Sequence, residues 1–137
     1  MISESVLLEL QRATHATLHV LATRLVDLDL TASELNALGN LADGAPRTVS
    51  ELGAAVGARP TTLTGVLDRL ERRGLITRGH HPGDRRAVRI ELTGAGRETA
   101  ALVTSTLADV EREALAELPP GSVEAARTVL RALAGIR

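Results

Sequence analysis

The segment that begins at Thr48 constrains the fold of this chain most, because its pattern predicts two short helices followed by a β-hairpin. Thr48 and Glu51 have the T-x-x-E spacing of a capping box at a helix start, and Gly57 is a typical residue for ending that helix. Pro60 suits the first position of a second helix, since the amide that proline lacks would have no partner there. We expect this second helix to end at Gly74.

The second helix is predicted to be amphipathic. Apolar residues at i, i+3, i+4 and i+7 spacing predict a buried stripe, made of Leu63, Val66, Leu67 and Leu70. The opposite face is small and hydroxylated in its first half and basic further on; it carries Thr61, Gly65, Asp68 and Arg72, flanked by Thr64 and Arg69. This distribution is typical of a recognition helix whose first turns approach base edges.

A basic hairpin is predicted directly after this helix. Residues 75–78 have the composition of a strand, residues 79–86 that of a turn-rich tip, and residues 87–92 alternate between polar and apolar. Helix, helix and hairpin in this order form a winged helix-turn-helix pattern. The fold class is therefore predicted to be mainly α with a small β-hairpin wing.

Two motifs in this segment resemble the MarR family of bacterial transcription regulators. Residues 60–75, PTTLTGVLDRLERRGL, are similar to the recognition-helix segment of that family. Residues 84–93, DRRAVRIELT, match its wing signature D-x-R-x-x-x-x-x-L-T at every fixed position. The resemblance is close over the central third of the chain, whereas the outer helices resemble the family in order and length only.

The resemblance implies roles for individual residues. It implies that Arg86 enters the minor groove from the wing tip and that Asp84 holds the tip in place, with Arg85 beside them. It also implies a recognition helix in the major groove, with base or phosphate contacts from Thr61, Thr62 and Thr64 and with Arg59, Arg69 and Arg72 nearby. Many members carry arginine where this chain has Gly65, so their operator preference cannot be transferred.

The distribution of charge favours a nucleic-acid partner, although the whole chain has a net charge of −1. Residues 57–97 hold nine arginines against four acids, which gives 9 − 4 = +5, and the remainder holds seven arginines against thirteen acids, which gives 7 − 13 = −6. Local charge on the binding face is what neutralises phosphates. The chain has no cysteine, which excludes disulfides, thiolate metal sites and cysteine redox sensing.

Long amphipathic helices are predicted on both sides of the central segment, over residues 3–29 and from Thr93 to Leu118, with a last helix capped by Ser122. One copy of the chain leaves their apolar faces without partners. We therefore expect a two-fold homodimer, with residues 1–30 and 94–137 as dimerisation helices and residues 31–93 as the DNA-binding lobe. Two recognition helices about one duplex turn apart, roughly 10 base pairs, predict a palindromic operator.

Two smaller features lie in front of the central segment. Thr31 and Glu34 repeat the capping-box spacing and predict the start of another helix, which Asp43 and Gly44 end. The Ala45-Pro-Arg segment leads into the lobe and is a candidate for a short extra strand.

His15 and His19 lie four residues apart on the first predicted helix, where both could face one ligand. No third metal ligand is visible nearby, so we favour two polar helix residues over half of a metal site, and an effector contact stays open. Gly94-Ala-Gly superficially suggests a dinucleotide-binding loop, but it follows a hairpin rather than a strand of a β-α-β unit. No nucleophile elbow or phosphate-binding loop is present, so neither an enzyme nor a cofactor is predicted.

The sequence thus predicts a transcription regulator that binds double-stranded DNA in a sequence-specific manner, and a repressor is favoured. The resemblance implies effector binding between the DNA-binding lobe and the dimer helices, and a regulator without an effector is left open. No segment approaches the ~20 apolar residues of a membrane span, and no signal peptide is visible, so the cytoplasm is expected. Two alternatives remain, an architectural DNA binder with little sequence preference and a protein-interaction adaptor.

Overall fold

The computed structural model describes residues 5–81 and 83–136, apart from the side chains of His81 and residues 84–86. The helices are α1 (Val6–Arg24), α2 (Ala32–Leu41), α3 (Val49–Val56), α4 (Pro60–Arg72), α5 (Gly94–Leu115) and α6 (Ser122–Ala134). The strands are β1 (Arg47–Thr48), β2 (Ile76–His81) and β3 (Asp84–Leu92). The predicted fold class, mainly α with a small β-hairpin wing, is confirmed.

The three strands form one antiparallel sheet in the order β1-β3-β2. The extra strand anticipated around Ala45-Pro-Arg lies slightly later, where Arg47 pairs with Ile90. The hairpin is longer than predicted, because β2 and β3 remain strands into the segment assigned to the tip. Strand pairing uses backbone groups, so polar residues can extend a ladder whose register the apolar pairs near its base have set.

Local capping signals place the helices of the lobe. The Thr48 hydroxyl accepts a hydrogen bond from the Glu51 amide, and the Glu51 carboxylate accepts one from the Thr48 amide, each at 3.1 Å. The bond from the Thr48 amide is the main reason why the pKa of Glu51 is lowered. Gly57 ends α3 in the left-handed region at φ 69°, and Pro60 is the first residue of α4, as predicted.

Two helix ends before and after the lobe differ from the prediction. α1 ends at Arg24 and a 3-10 turn follows over Val26–Leu28, whereas the sequence predicted a helix to residue 29. Its predicted start at Ser3 lies outside the described residues. α5 ends at Leu115 instead of Leu118, because the residue before Pro119 is forced out of the helical region.

The start of α6 also differs from the prediction. Gly121, at φ 87°, is the N-cap and Ser122 is already helical. The Ser122 hydroxyl donates to the carbonyl oxygen of Pro119 at 2.7 Å, so it does not cap the helix. Glycine takes the position because the chain must turn through the left-handed region there.

A single aliphatic core lies in the lobe. It includes all four residues of the predicted α4 stripe, each at most 2% exposed, and continues through α2, β2, β3 and the first half of α5. Gly96 allows α5 to pass close to the sheet, since a Cβ there would lie 1.9 Å from the carbonyl oxygen of Leu75. Gly96, the second glycine of the segment that suggested a dinucleotide loop, therefore serves helix packing.

The first and last helices, α1 and α6, contribute little to this core. Leu21 is the one buried residue of α1, and α6 has none among its described residues. Large apolar side chains are exposed on α1, α5 and α6, among them Val6, Leu7, Leu8, Leu102, Leu107, Val129 and Leu130. Among the described residues, no helix is both long and apolar enough to cross a membrane.

Candidate nucleic-acid interface

The outward face of α4 is fixed by the burial of its apolar face. Leu63 and Leu70 at either end of the stripe are 2% and 0% exposed, so the helix cannot rotate without exposing them. Thr61, Thr62 and Thr64 lie on the exposed side, as the sequence predicted. The hydroxyl of Thr64 donates to the carbonyl oxygen of Pro60 at 2.9 Å, which leaves its oxygen free to accept hydrogen bonds.

Two of the predicted arginines lie exposed near the ends of the helix. Arg59 occupies the N-cap position immediately before α4. Arg72 lies in the last turn, where its Nε donates to the carbonyl oxygen of Asp68 at 3.3 Å. Arg59 precedes the exposed threonines and Arg72 follows them on the same helix, so α4 and its N-cap can offer hydroxyl and cationic contacts together.

Arg69 is held by a residue to which the sequence assigned another role. Its Nε donates to Oε1 of Glu34 on α2 at 2.9 Å. The Glu34 side chain is 4% exposed, whereas that of Arg69 is 47% exposed. One half of the capping box predicted for the start of α2 is confirmed, since the Thr31 hydroxyl accepts a hydrogen bond from the Glu34 amide at 3.2 Å. The other half is wrong, because the Glu34 carboxylate turns inward to Arg69 instead of accepting from the Thr31 amide.

Arg78, which the sequence did not single out, joins the wing to the recognition helix. It extends from β2 and donates to Oδ1 of Asp68 at 2.7 Å and to Oε1 of Glu71 at 2.8 Å. Accepting a hydrogen bond from Arg78 lowers the pKa of Glu71, and the hydrogen bonds that Arg78 donates to Glu71 and Asp68 raise the pKa of Arg78. The sequence shows that Asp68 and Glu71 lie one helical turn apart and could share a basic partner. It does not show that this partner is Arg78, because the pairing depends on how β2 packs against α4.

Arg73 was also missed, and it anchors the end of α4 to the linker between α1 and α2. Its Nη1 donates to the carbonyl oxygen of Asp29 at 2.5 Å, and its Nη2 donates to that of Leu28 at 2.8 Å. Asp29 is in the left-handed region at φ 53°. These bonds hold the turn in which α1 stops short of its predicted end.

The predicted wing residues are placed by their backbone. Asp84, Arg85 and Arg86 form the start of β3, opposite the end of β2. Their side chains lie outside the described part of the structure, so the roles implied for them stay predictions.

The predicted histidine pair lies apart from this surface. His15 and His19 are exposed on α1. Within the described residues, no group of three or more His, Asp or Glu side chains could hold a metal ion. A cavity of about 110 Å³, whose lining includes neither histidine, lies between Leu18 of α1, three residues of α2 and the apolar side of the helix-turn-helix.

A helix-turn-helix followed by an antiparallel hairpin, with exposed threonines and arginines on its second helix, defines the winged helix-turn-helix class of DNA-binding proteins. The model of the MarR family matches residues 30–88, which span the helix-turn-helix and most of the wing. The predicted resemblance to this family is confirmed over that segment.

Curated relatives of the chain are transcription regulators. It is 34% identical over 103 residues to the HTH-type transcriptional repressor NicR of Pseudomonas putida, covering 75% of this chain and 62% of NicR. It is 37% identical over 109 residues to the HTH-type transcriptional regulator PecS of Dickeya dadantii, covering 77% of this chain and 63% of PecS. The chain thus spans somewhat less than two thirds of the length of either relative.

Solved structures share the fold over nearly the whole chain. BpsR of Bordetella bronchiseptica, described with regulation of its DNA binding by 6-hydroxynicotinic acid, has a TM-score of 0.79 and 26% identity, covering 100% of this chain and 98% of BpsR. NadR in complex with 4-hydroxyphenylacetate has a TM-score of 0.88 and 22% identity, covering 100% of this chain and 97% of NadR.

Proposed function

We propose that this chain is a sequence-specific, double-stranded DNA-binding transcription repressor that acts as a homodimer on a palindromic operator. The observation that carries the proposal is the exposed hydroxyl and arginine face of α4, which is anchored in the core and joined to the wing through Arg78. The family match and the names of the relatives support the same function.

The interface would divide its contacts between helix and wing. Thr61, Thr62 and Thr64 on the first turns of α4 are suited to base edges or phosphates, because a hydroxyl can both donate and accept. The predicted arginines of α4 and of the wing would contribute charge, and Arg86 would enter the minor groove while Asp84 and Arg85 shape the tip. The Arg78 bridge would keep helix and wing at a fixed spacing, so that both contact the duplex together.

The dimer would use the helices outside the lobe. We assign residues 1–30 and 94–137 to dimerisation and residues 31–93 to DNA binding. A groove of about 360 Å³ between the end of α5 and α6 is lined largely by apolar residues, including Leu115, Leu118, Val123 and Leu130. Exposed apolar faces on several helices are typical of an interface, and the α1 and α6 faces of a second copy would cover them.

An effector would act through the connection between these two parts. The cavity between α1, α2 and α4 lies where a ligand could alter how the lobe sits on the dimer helices. Such a ligand must bind the conformation that does not fit the operator more tightly, since equal affinity shifts nothing. The ligands of BpsR and NadR, 6-hydroxynicotinic acid and 4-hydroxyphenylacetate, are the first two to titrate.

The proposed role is one of binding rather than catalysis, and it requires no cofactor. It places the protein in the cytoplasm, where the bacterial chromosome is accessible.

The proposal is tested by selecting duplexes from a pool with a randomised centre of about 20 base pairs, which spans two half-sites one turn apart. Fluorescence anisotropy then compares the selected duplex with a scrambled one at two salt concentrations. We expect a preference of about 10³ or more for the selected duplex. Equal binding would indicate an architectural protein, and no binding at moderate salt would indicate an adaptor.

The wing assignment has its own test. Arg86→Ala should lower affinity for the selected duplex at least about tenfold, or about 1.4 kcal/mol, without unfolding the protein. Arg112→Ala on α5 removes the same charge far along the chain from the lobe, and it should leave affinity unchanged. An Arg86→Ala variant that binds like the wild type would refute the wing assignment.

A further inference from the structure

The guanidinium of Arg69 lies close against the point where a side chain at position 65 would begin. A Cβ placed on Gly65 would come within 3.3 Å of Nη1 of Arg69. Gly65 lies in the middle of α4, where glycine weakens a helix relative to alanine. Its backbone does not require glycine, since it is not among the residues with positive φ. The contact that an added methyl group would make with Arg69, rather than the backbone conformation, is therefore the main difference between glycine and alanine at this position.

The opposite edge of the Arg69 guanidinium is held by a carboxylate that solvent hardly reaches. Glu34 accepts from Nε at 2.9 Å and its side chain is 4% exposed. A buried carboxylate is costly to keep charged without a partner, so this contact fixes one edge of the guanidinium strongly. About half of the Arg69 side chain, 47%, nevertheless remains exposed on the outward side of α4.

We propose that Gly65, Arg69 and Glu34 act as one unit in DNA recognition. Gly65 leaves the space that the Arg69 guanidinium occupies, and Glu34 is a positioning residue that holds this guanidinium on the outward face of α4. Arg69 thereby supplies the DNA contact at the place where position 65 has no side chain of its own. The inference rests on the proposed function, because it requires this face of α4 to meet a duplex.

The physical advantage of the arrangement is preorganisation. A free arginine loses rotamer entropy when it is fixed against DNA, whereas Arg69 is already fixed by a contact within the protein. Arginine can serve both partners at once, because its guanidinium carries five N–H donors in a rigid plane. The Nε edge faces Glu34, and the donors of the remaining edges stay available for a base edge or a phosphate.

The decisive variant is Gly65→Ala, because the inference predicts that stability and DNA binding change in opposite directions. Alanine is the better helix former, so the melting temperature should stay the same or rise by roughly 4 °C. The added methyl group would displace the Arg69 guanidinium and lower affinity for the selected duplex at least about threefold. A glycine with a merely structural role would not produce this divergence.

Two further variants show whether the effect passes through Arg69. Glu34→Gln should also lower affinity at least about threefold, because the uncharged amide holds the guanidinium less firmly. The second is the double variant Glu34→Gln/Arg69→Ala, which serves as a background without Arg69. The carboxylate is changed with it because removing Arg69 alone would leave a buried charge without a partner. Adding Gly65→Ala to that background should change affinity by less than about 1.5-fold, since the coupled partner is gone.

The control for the glycine substitution is Gly94→Ala at the start of α5, where no atom lies within 4 Å of the added methyl group. It should leave affinity unchanged. If the wild-type protein binds the selected duplex and Gly65→Ala binds it with the same affinity, this inference is overturned and the proposed function is not. An equal loss in the background without Arg69 would also overturn it, as it would indicate a direct clash with DNA. A wild-type protein that selects no duplex would instead overturn the proposed function.

Discussion

The DNA-binding lobe and the terminal helices use the same aliphatic residues with opposite results. In α2, five of ten residues are buried, including Leu35 and Leu38 at 0% exposure. In α6, none of thirteen is buried, although Val129, Leu130 and Leu133 follow the i+3 and i+4 spacing of a helix just as regularly. An amphipathic pattern therefore says that a helix has an apolar face, but not whether that face is covered within the same chain. The lobe has a complete core, whereas the terminal helices keep exposed apolar faces, which we propose a second copy covers.

The ion pairs of the two regions differ in the same way. In the lobe, Glu34 holds Arg69 from a buried position, and Arg78 bridges two acids between strand and helix. Outside it, Arg24 and Glu113 meet at 2.5 Å with side chains that are 39% and 61% exposed. Exposed pairs of this kind contribute little, typically about 0–1 kcal/mol. In the lobe, ion pairs orient side chains, whereas along the outer helices they mainly accompany helix contacts.

The largest expected effect compares the two leucine environments. Leu38→Ala in α2 should lower the free energy of unfolding by about 3 kcal/mol, because it opens a cavity in a fully packed site. Leu130→Ala in α6, where the side chain is 44% exposed, should cost the lobe less than about 1 kcal/mol. Urea denaturation at a fixed protein concentration measures both. Equal losses would mean that α6 belongs to the same core as α2.

The second effect concerns the uncovered face itself. Leu130→Glu should raise the dimer dissociation constant at least about 100-fold, or about 2.7 kcal/mol, because it introduces a charge into the proposed interface. Thr128→Glu is the matched control, since Thr128 lies two residues away and so on the other side of α6. Sedimentation velocity over a range of concentrations distinguishes the variants. A Leu130→Glu protein that remains dimeric would place the interface elsewhere.

A smaller effect contrasts the helix starts of the two regions. Thr48→Ala removes half of the capping box of α3 and should cost about 1 kcal/mol. Ser122→Ala at the start of α6 should cost less than about 0.5 kcal/mol, because its hydroxyl does not cap the helix. Thermal unfolding of the two variants under identical conditions provides the comparison. A larger loss for Ser122→Ala would show that α6 depends on this residue in a way that its hydrogen bond does not explain.

The smallest effect is the pH dependence of the bridge between wing and recognition helix. Because the pKa of Glu71 is lowered by Arg78, its contribution to stability is complete above the ordinary carboxyl pKa of about 4.3 and is lost as pH falls through the lowered value. The urea midpoint of the wild type should therefore fall in this acidic range. Glu71→Gln and Arg78→Gln should each flatten this part of the profile. An unchanged slope in both variants would mean that the bridge contributes nothing measurable.

Much of the lobe could be read from sequence because its signals are local. A capping box joins residues three apart, as Thr48 and Glu51 do, and an apolar stripe repeats every turn, as in α4. Thr93 was likewise recognisable as a cap, and its hydroxyl accepts from the Gly96 amide at 3.0 Å. The wing motif and its resemblance to the family were equally visible. The length of the hairpin was not, because backbone pairing beyond the apolar residues leaves no pattern in the side chains.

The sequence by itself therefore determined the order and type of the main elements, the buried face of α4 and the resemblance of the central segment to the MarR family. Tertiary structure alone decided the partners of Glu34, Arg69 and Arg73. Glu34 and Arg69 are 35 residues apart, and Arg73 and Asp29 are 44 apart. No local rule pairs them. Packing of α2 against α4 removed the carboxylate of Glu34 from water, and that loss of hydration is what made Arg69 its partner instead of the amide at the start of its own helix.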